Sequence, residues 1–378
     1  MPGNTPAERL GWFSRSLADW GIHFAVISDP RHIFYFTGFS TYKSRINSLL
    51  WVDSLNGGHK LVVGKTEEGV AREAFSGELQ TYSDYDMDKR MIVYPDTFSK
   101  IFRDLLRDNA SEKGGFVGIE EWHLPLMYLS GLKLKEAAIS DIILTMRRKK
   151  GTDEVAFHQG AAKRLDGAYR DARAFARTGR SEMQLYRRVN SSYFEKEGAV
   201  DSWRYSNVLG DFVAGRRSRE IGGPPTENRM MKGDTLIMDL QASHNYYWAD
   251  TARTFVVGSA PTARQEQIFD VLLDAKHEAE KVLRPGTRGS KVYDVVTGVI
   301  TKAGFSSLPH HAGHGVGLEG QEAPFFIPGS VDTIEEGDLC ALEPGIYDKE
   351  AGGMRIEDNY VITKEGFKKT SHFPLALA

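Results

Sequence analysis

The chain lacks most of the features that would narrow its function at once. It has a single cysteine, Cys340, in 378 residues. One thiol cannot close an internal disulfide, which suits a reducing compartment. No apolar run approaches the ~20 residues needed to cross a bilayer. The opening segment MPGNTPAERL lacks the basic-then-apolar pattern of a secretory signal. A cytoplasmic protein with no membrane partner is the expectation. Neither sign of charge dominates: 48 Lys and Arg stand against 51 Asp and Glu, a net of −3. A surface so balanced gives no electrostatic ground for nucleic acid as a partner. Short-period repeats and low-complexity stretches are missing too. What remains is 41% hydrophobic and 26% charged, a composition able to bury a core. The length amounts to roughly two domains.

Residues 1–148 alternate helix and strand signals. Leu10, Phe13, Leu17 and Trp20 recur at helical spacing, and HFAVIS reads as a short buried strand. SLLWVDSLNGGHKLVVG is a hairpin signal around Asn-Gly-Gly. A basic joint, RRKKGTDE, closes this segment. From about Asp153 to Arg177 the apolar Phe157, Ala161, Leu165, Ala168, Ala172 and Phe175 line one face of a long helix. Strands such as DTLIMDLQAS, WADTARTFVVG, DLCALEPG and RIEDNYVIT follow, among further helices. The expected fold is α/β plus α+β, with an N-terminal α/β domain at 1–148 and a second domain at 149–378.

The second domain carries the chemistry. Asp239 sits in the apolar strand LIMDL, where an unpaired carboxylate is costly to bury. Asp250 lies eleven residues on, so a two-residue hairpin centred between His244 and Asn245 pairs the two directly, on one sheet face. Like charges so placed repel unless a cation lies between them. The same arithmetic pairs Glu343 with Glu357 across a turn at Glu350. His314, in HHAGHGVG, has glycines on both sides that allow close backbone approach. Taken singly, such an Asp forms turns and such a Glu faces solvent. Four carboxylates and one imidazole in two pairs form a hard, oxygen-rich set that suits two divalent ions such as manganese, cobalt, iron or zinc.

The segments LIMDLQ, YYWADTARTFVVG, HHAGHGVGLEGQEAP, ALEPGIY and GGMRIEDNYVIT, in that order, resemble the successive motifs of the creatinase–prolidase–methionine aminopeptidase superfamily, the pita-bread fold of Xaa-Pro dipeptidases and aminopeptidase P. SDPRHIFYFTGF is similar to the N-terminal domain of its prolidase branch. The resemblance implies five metal ligands: Asp239, Asp250, His314, Glu343 and Glu357. In that pattern Asp250 and Glu357 serve both ions, Asp239 one, and His314 with Glu343 the other. Such ions acidify water and polarise a scissile carbonyl. Glu343 is the catalytic candidate for moving the water's proton. The resemblance also implies a homodimer and a small amide or dipeptide substrate.

This chain departs from the pattern where peptidases handle substrate. A histidine seven residues after the GHG histidine is replaced by Gln321, and one about seventeen before the first aspartate by Gly222. Gln321 still hydrogen-bonds but does not titrate, and Gly222 offers only backbone or space. Weak cleavage of ordinary Xaa-Pro dipeptides follows, with Gly222→His plus Gln321→His expected to raise it. The alternative activity is hydrolysis of a non-peptide amide, as in ectoine hydrolases or creatinase. A lyase like the dimethylsulfoniopropionate-cleaving branch carries an acidic residue where this chain has Ile237. A non-catalytic binding module has no need of paired buried carboxylates. His310, four before His314, is a second catalytic candidate. Arg355, two before Glu357, is expected to share its strand face and neutralise it. Arg216, with Arg217 and Arg219, is a candidate clamp for a substrate carboxylate. Trp203, Tyr205, Phe212, Tyr247 and Trp248 are aromatics of the same region, and Cys340 reads as a buried small hydrophobe.

Overall fold

A computed structural model describes residues 3–41, 48–84, 94–107, 116–120, 135–197 and 208–378. The chain divides into two units, 1–147 and 148–378. Trp203 and Tyr205 lie outside the described residues.

The first unit is built on a six-stranded mixed sheet. Its strands are β1 (Ile22–Ile27), β2 (Leu49–Asp53), β3 (Gly58–Gly64), β4 (Glu78–Tyr82), β5 (Phe116–Ile119) and β6 (Lys135–Ala138), in the order β4-β3-β2-β1-β5-β6. Its helices are α1 (Pro6–Asp19), α2 (Pro30–Thr37), α3 (Glu68–Ala74), α4 (Tyr94–Leu105) and α5 (Ser140–Arg148), the last running across the boundary. Thr5 and Glu8 form a capping box at the start of α1, satisfying two orphan amides. In the β2–β3 hairpin Asp53 pairs with Gly58, so the second glycine belongs to the strand rather than the turn. Asp53 Oδ1 accepts from the amides of Leu55 and Asn56, which fixes that turn. Phe24, Trp51, Val62, Phe98 and Phe102 fill the core.

In the second unit each of two halves packs two helices on an antiparallel sheet. Helices α6 (Thr152–Phe175) and α7 (Glu182–Glu197) go with β7 (Leu209–Ala214), β8 (Thr235–His244) and β9 (Tyr247–Val256), in order β7-β8-β9. The apolar face of α6 buries Ala161, Leu165, Ala168 and Ala172 against Leu236, Met238 and Leu240. Helices α8 (Ala263–Val282) and α9 (Gly289–Lys302) go with β10 (Gly313–Gly315), β11 (Glu322–Phe326), β12 (Leu339–Leu342), β13 (Gly345–Asp348), β14 (Gly352–Arg355), β15 (Asp358–Thr363) and β16 (Gly366–Lys369). The sheet order is β11-β10-β12-β15-β16, with β13 and β14 as a separate hairpin. Cys340 is fully buried in β12, and burial raises its thiol pKa well above the usual value.

Buried polar groups join the halves where β9 meets β15. Arg253 pairs with Asp358 at 2.8 Å and donates to the carbonyls of Glu357 and Phe373. Asn359 Oδ1 accepts from Asp250 N–H, and its Nδ2 donates to Asp250 C=O. On α6, buried His158 has Nδ1 2.8 Å from Trp248 O and Nε2 2.8 Å from Thr370 Oγ1. A carbonyl only accepts, so Nδ1 carries the hydrogen and Nε2 accepts from the threonine hydroxyl. Burial lowers the His158 pKa to about 4.

Candidate metal centre

Strands β8 and β9 bring two aspartates to one face. Their turn is Asn245-Tyr246, both at positive φ (46° and 65°), as a type I′ hairpin requires. That turn lies one position later than the sequence arithmetic assumed, and the register moves with it. Asp239 faces Ala252, and Asp250 faces Gln241, so the two aspartates are diagonal rather than direct partners. A shift by two keeps the pleat, and both carboxylates stay on one side. Gln241 Nε2 donates to Asp250 Oδ2 at 2.6 Å.

The other carboxylates come from the second half. Leu342 pairs with Asp358 and Gly345 with Arg355, ladders of one register that set Glu343 opposite Glu357. His314 enters from β10, which pairs with β12 on the side away from β15. A side chain on neighbouring Gly313 would put a Cβ 2.1 Å from Ala341 O, so only glycine lets this strand lie so close. His314 Nδ1 lies 2.9 Å from Gly315 O, an acceptor, which places the hydrogen on Nδ1. The lone pair of Nε2 therefore points at carboxylates: Glu343 Oε1 at 3.4 Å, Asp250 Oδ2 at 3.6 Å and Glu357 Oε1 at 3.9 Å.

Lone pairs aimed at lone pairs need a cation. Asp250 Oδ1 and both oxygens of Glu357 are buried without a hydrogen-bond partner, a costly state for an ionised group. Burial first, then Asp239 and Glu343, push the Asp250 carboxyl well above its usual pKa. Glu357 is raised well above its usual value by burial and by Asp250, Asp239 and Glu343. Asp239 is raised by burial against the opposing pull of Arg355. Burial works upward on Glu343 too, but His311 and His314 outweigh it and hold that carboxyl low. Two groups of donor atoms converge closely enough for an ion, His311 with His314 and Glu343, and Asp250 with His314 and Glu357. The donors are oxygen and imidazole, which fit a divalent cation.

Residues 156–364 match metallopeptidase family M24, and residues 9–148 match the creatinase/prolidase N-terminal domain. The chain belongs to family M24. It is 27% identical over 364 residues to an Xaa-Pro dipeptidase of Pyrococcus furiosus, covering 96% of this chain and 97% of that one. An Xaa-Pro dipeptidase of Pyrococcus horikoshii is 30% identical over 259 residues, covering 67% and 72%. The solved prolidase from Pyrococcus furiosus superposes with a TM-score of 0.80 at 25% identity, covering 95% of this chain and 99% of that one. The protein is thus a metal-dependent hydrolase that cleaves peptide bonds, and the non-peptide amide alternative is not favoured. Among the described residues no helix is long and apolar enough to cross a membrane.

Around this M24 centre the remaining side chains depart from expectation in several places. Arg355 makes no ion pair with Glu357, although its charge works to lower that carboxyl's pKa. Its guanidinium meets Asp239 at 2.6 Å and Asp211 at 2.5 Å instead. His310 stands back from the carboxylates, with Nε2 2.8 Å from Tyr347 Oη and Nδ1 3.9 Å from Glu343. The imidazole on Glu343 is that of His311, with Nε2 2.7 Å from Oε1. Gln321 is exposed just before β11, and Arg216 is exposed as well. Arg217 is tied to Glu182. Phe212 and Tyr247 belong to the core, where Tyr247 Oη donates to Glu154 Oε1. At Gly222 an added Cβ would lie 1.9 Å from Asp211 Oδ2, so a side chain there requires the Asp211 carboxylate to move. Asp211, Tyr347 and His311 escaped the sequence reading of the site. Only the strand pairing of Asp211 with Asp239, and the doubled histidine at 310 and 311, pointed to them.

Proposed function

We propose that the site holds two divalent ions, of manganese, cobalt, iron or zinc, and hydrolyses the bond before proline in small peptides. The ligands would be Asp239, Asp250, His314, Glu343 and Glu357. The observation that carries this reading is the convergence of Asp250 Oδ2, Glu343 Oε1 and Glu357 Oε1 on the lone pair of His314 Nε2, with Asp250 Oδ1 and both oxygens of Glu357 buried and without a hydrogen-bond partner. The Xaa-Pro dipeptidases named above support the choice of substrate.

Bound ions supply an acidified water and a polarised carbonyl. The protein's own groups supply the rest. Glu343 takes the proton from water and delivers it to the leaving nitrogen, and His311 beside its Oε1 stabilises the ionised carboxylate between transfers. Tyr347 Oη, held by His310 Nε2 and Arg355 Nη1, forms a fixed polar wall. Arg355 holds Asp239 in place as a ligand. The chemistry lies within 149–378, with 1–148 as a separate N-terminal domain. A cytoplasmic homodimer completes the reading, and small-angle scattering tests the dimer.

Elemental analysis of the purified protein, paired with mass-spectrometric detection of proline released from Ala-Pro and of Pro-Gly released from Ala-Pro-Gly with and without added manganese, tests the function. About two ions per chain and metal-dependent release are expected. Full activity after thorough chelation would sink the metal mechanism.

A further inference from the structure

Asp211 is a carboxylate beside the metal ligands that the ligand set does not use. On β7 it lies directly across the ladder from Asp239. Two like charges so paired repel unless a cation sits between them. Arg355 is that cation, buried at 3% exposure, with Nη2 at 2.5 Å from Asp211 Oδ2 and 2.6 Å from Asp239 Oδ2. Its Nη1 donates to Ile221 O at 2.5 Å and to Tyr347 Oη at 2.9 Å. Asp211 Oδ1 accepts from Gly223 N–H at 2.8 Å, and its side chain keeps 29% of its exposure, against 16% for Asp239. Asp211 is therefore the more solvent-facing of the two carboxylates on Arg355.

Resting on the peptidase reading above, we propose that Asp211 is a specificity-determining residue: a built-in carboxylate that occupies the guanidinium a substrate's terminal carboxylate would otherwise take, so that the enzyme selects peptides continued or capped beyond the proline over free Xaa-Pro dipeptides. A guanidinium fork pairs with carboxylates in a fixed geometry, and here both Nη groups are engaged, while Nε–H is buried without a partner. A free terminal carboxylate must displace Asp211 or lie against it and Asp239, with like-charge repulsion. A neutral amide meets no such repulsion, and its N–H can donate to Asp211. Gly222 belongs to the same device, because its missing side chain makes room for the Asp211 carboxylate. The chain beyond the proline also has somewhere to go. A cleft of about 630 Å³, lined by Arg219, Ile221, Phe305 and Tyr347 among others, shares Ile221 and Tyr347 with the contacts of Arg355.

The test uses a non-hydrolysable ligand, Ala-Pro with CH2–N in place of the scissile amide, as free acid and as carboxamide. Each is titrated by calorimetry into the metal-loaded protein. The carboxamide should bind the wild type at least about tenfold more tightly, and Asp211→Asn or Asp211→Ser should bring the ratio to about one or reverse it. In turnover of Ala-Pro against Ala-Pro-amide, the same substitutions should move KM for the acid while leaving the kcat ratio in place. A wild type that binds the acid as tightly as the carboxamide overturns the proposal, and that comparison needs no variant to fold. A ratio unmoved by either substitution overturns it as well. Carboxamide-selective binding without turnover of either peptide would uphold the role of Asp211 and sink the peptidase reading instead.

Discussion

The side-chain amide of Asn359 satisfies both backbone polar groups of Asp250, accepting from its N–H at 3.0 Å and donating to its C=O at 2.5 Å. A side chain thus does what a neighbouring strand would do, and it fixes the backbone of a central ligand without engaging that ligand's carboxylate.

Asn359→Ala removes both bonds inside a fully buried site. It should cost about 1–3 kcal/mol of stability and weaken metal retention. Chemical denaturation and elemental analysis after dialysis check the two effects. Unchanged metal retention would show that Asp250 is placed without this clamp.

Glu357→Gln should remove hydrolysis and bound metal while stabilising the chelated protein at neutral pH. The folded pKa of Glu357 is raised above its unfolded value by burial and neighbouring carboxylates. Its contribution to the metal-free fold is therefore present below the usual carboxylate range and lost as pH rises. The melting temperature of the variant in chelator should pull ahead of the wild type from about pH 4 upward, and manganese should reverse the order. Parallel curves would count against the electrostatic account.

His158 makes the opposite demand. Its pKa falls from 6.5 unfolded to about 4 in the fold, so its stabilising contribution is complete above 6.5 and is lost as pH drops towards 4. A shift of that size corresponds to about 3 kcal/mol. His158→Gln should flatten this part of the stability curve in denaturant titrations. A variant as acid-sensitive as the wild type would place the loss elsewhere.

Gly222→His should misfold or lose metal by itself and be tolerated together with Asp211→Ala, because the Asp211 carboxylate holds the space. Circular dichroism and metal content of the single and double variants decide this. A well-folded, fully metallated single variant would contradict the packing described here.

The alternation of apolar and polar residues made β8 and β9 readable, and position arithmetic brought Glu343 opposite Glu357. The same arithmetic misplaced Asp250 by two, because a turn with two non-glycine residues at positive φ is not a pattern that composition reveals. Arg355 was assigned to Glu357, but its guanidinium is taken by Asp239 and Asp211, which come from β8 and β7 of the other half. Asp211 stayed hidden for a different reason. Its partner Asp239 is 28 positions away, and only the pairing of β7 with β8 makes them neighbours. His311 lost out to His310 because spacing cannot say which way a loop histidine turns.

The seam between the two halves is closed by Arg253 with Asp358 and by Asn359 with the Asp250 backbone, and none of these bonds uses a carboxylate oxygen from the ligand set. The framework around the ligands is thereby held by bonds that make no demand on the ligand oxygens, which leaves those oxygens available to an ion.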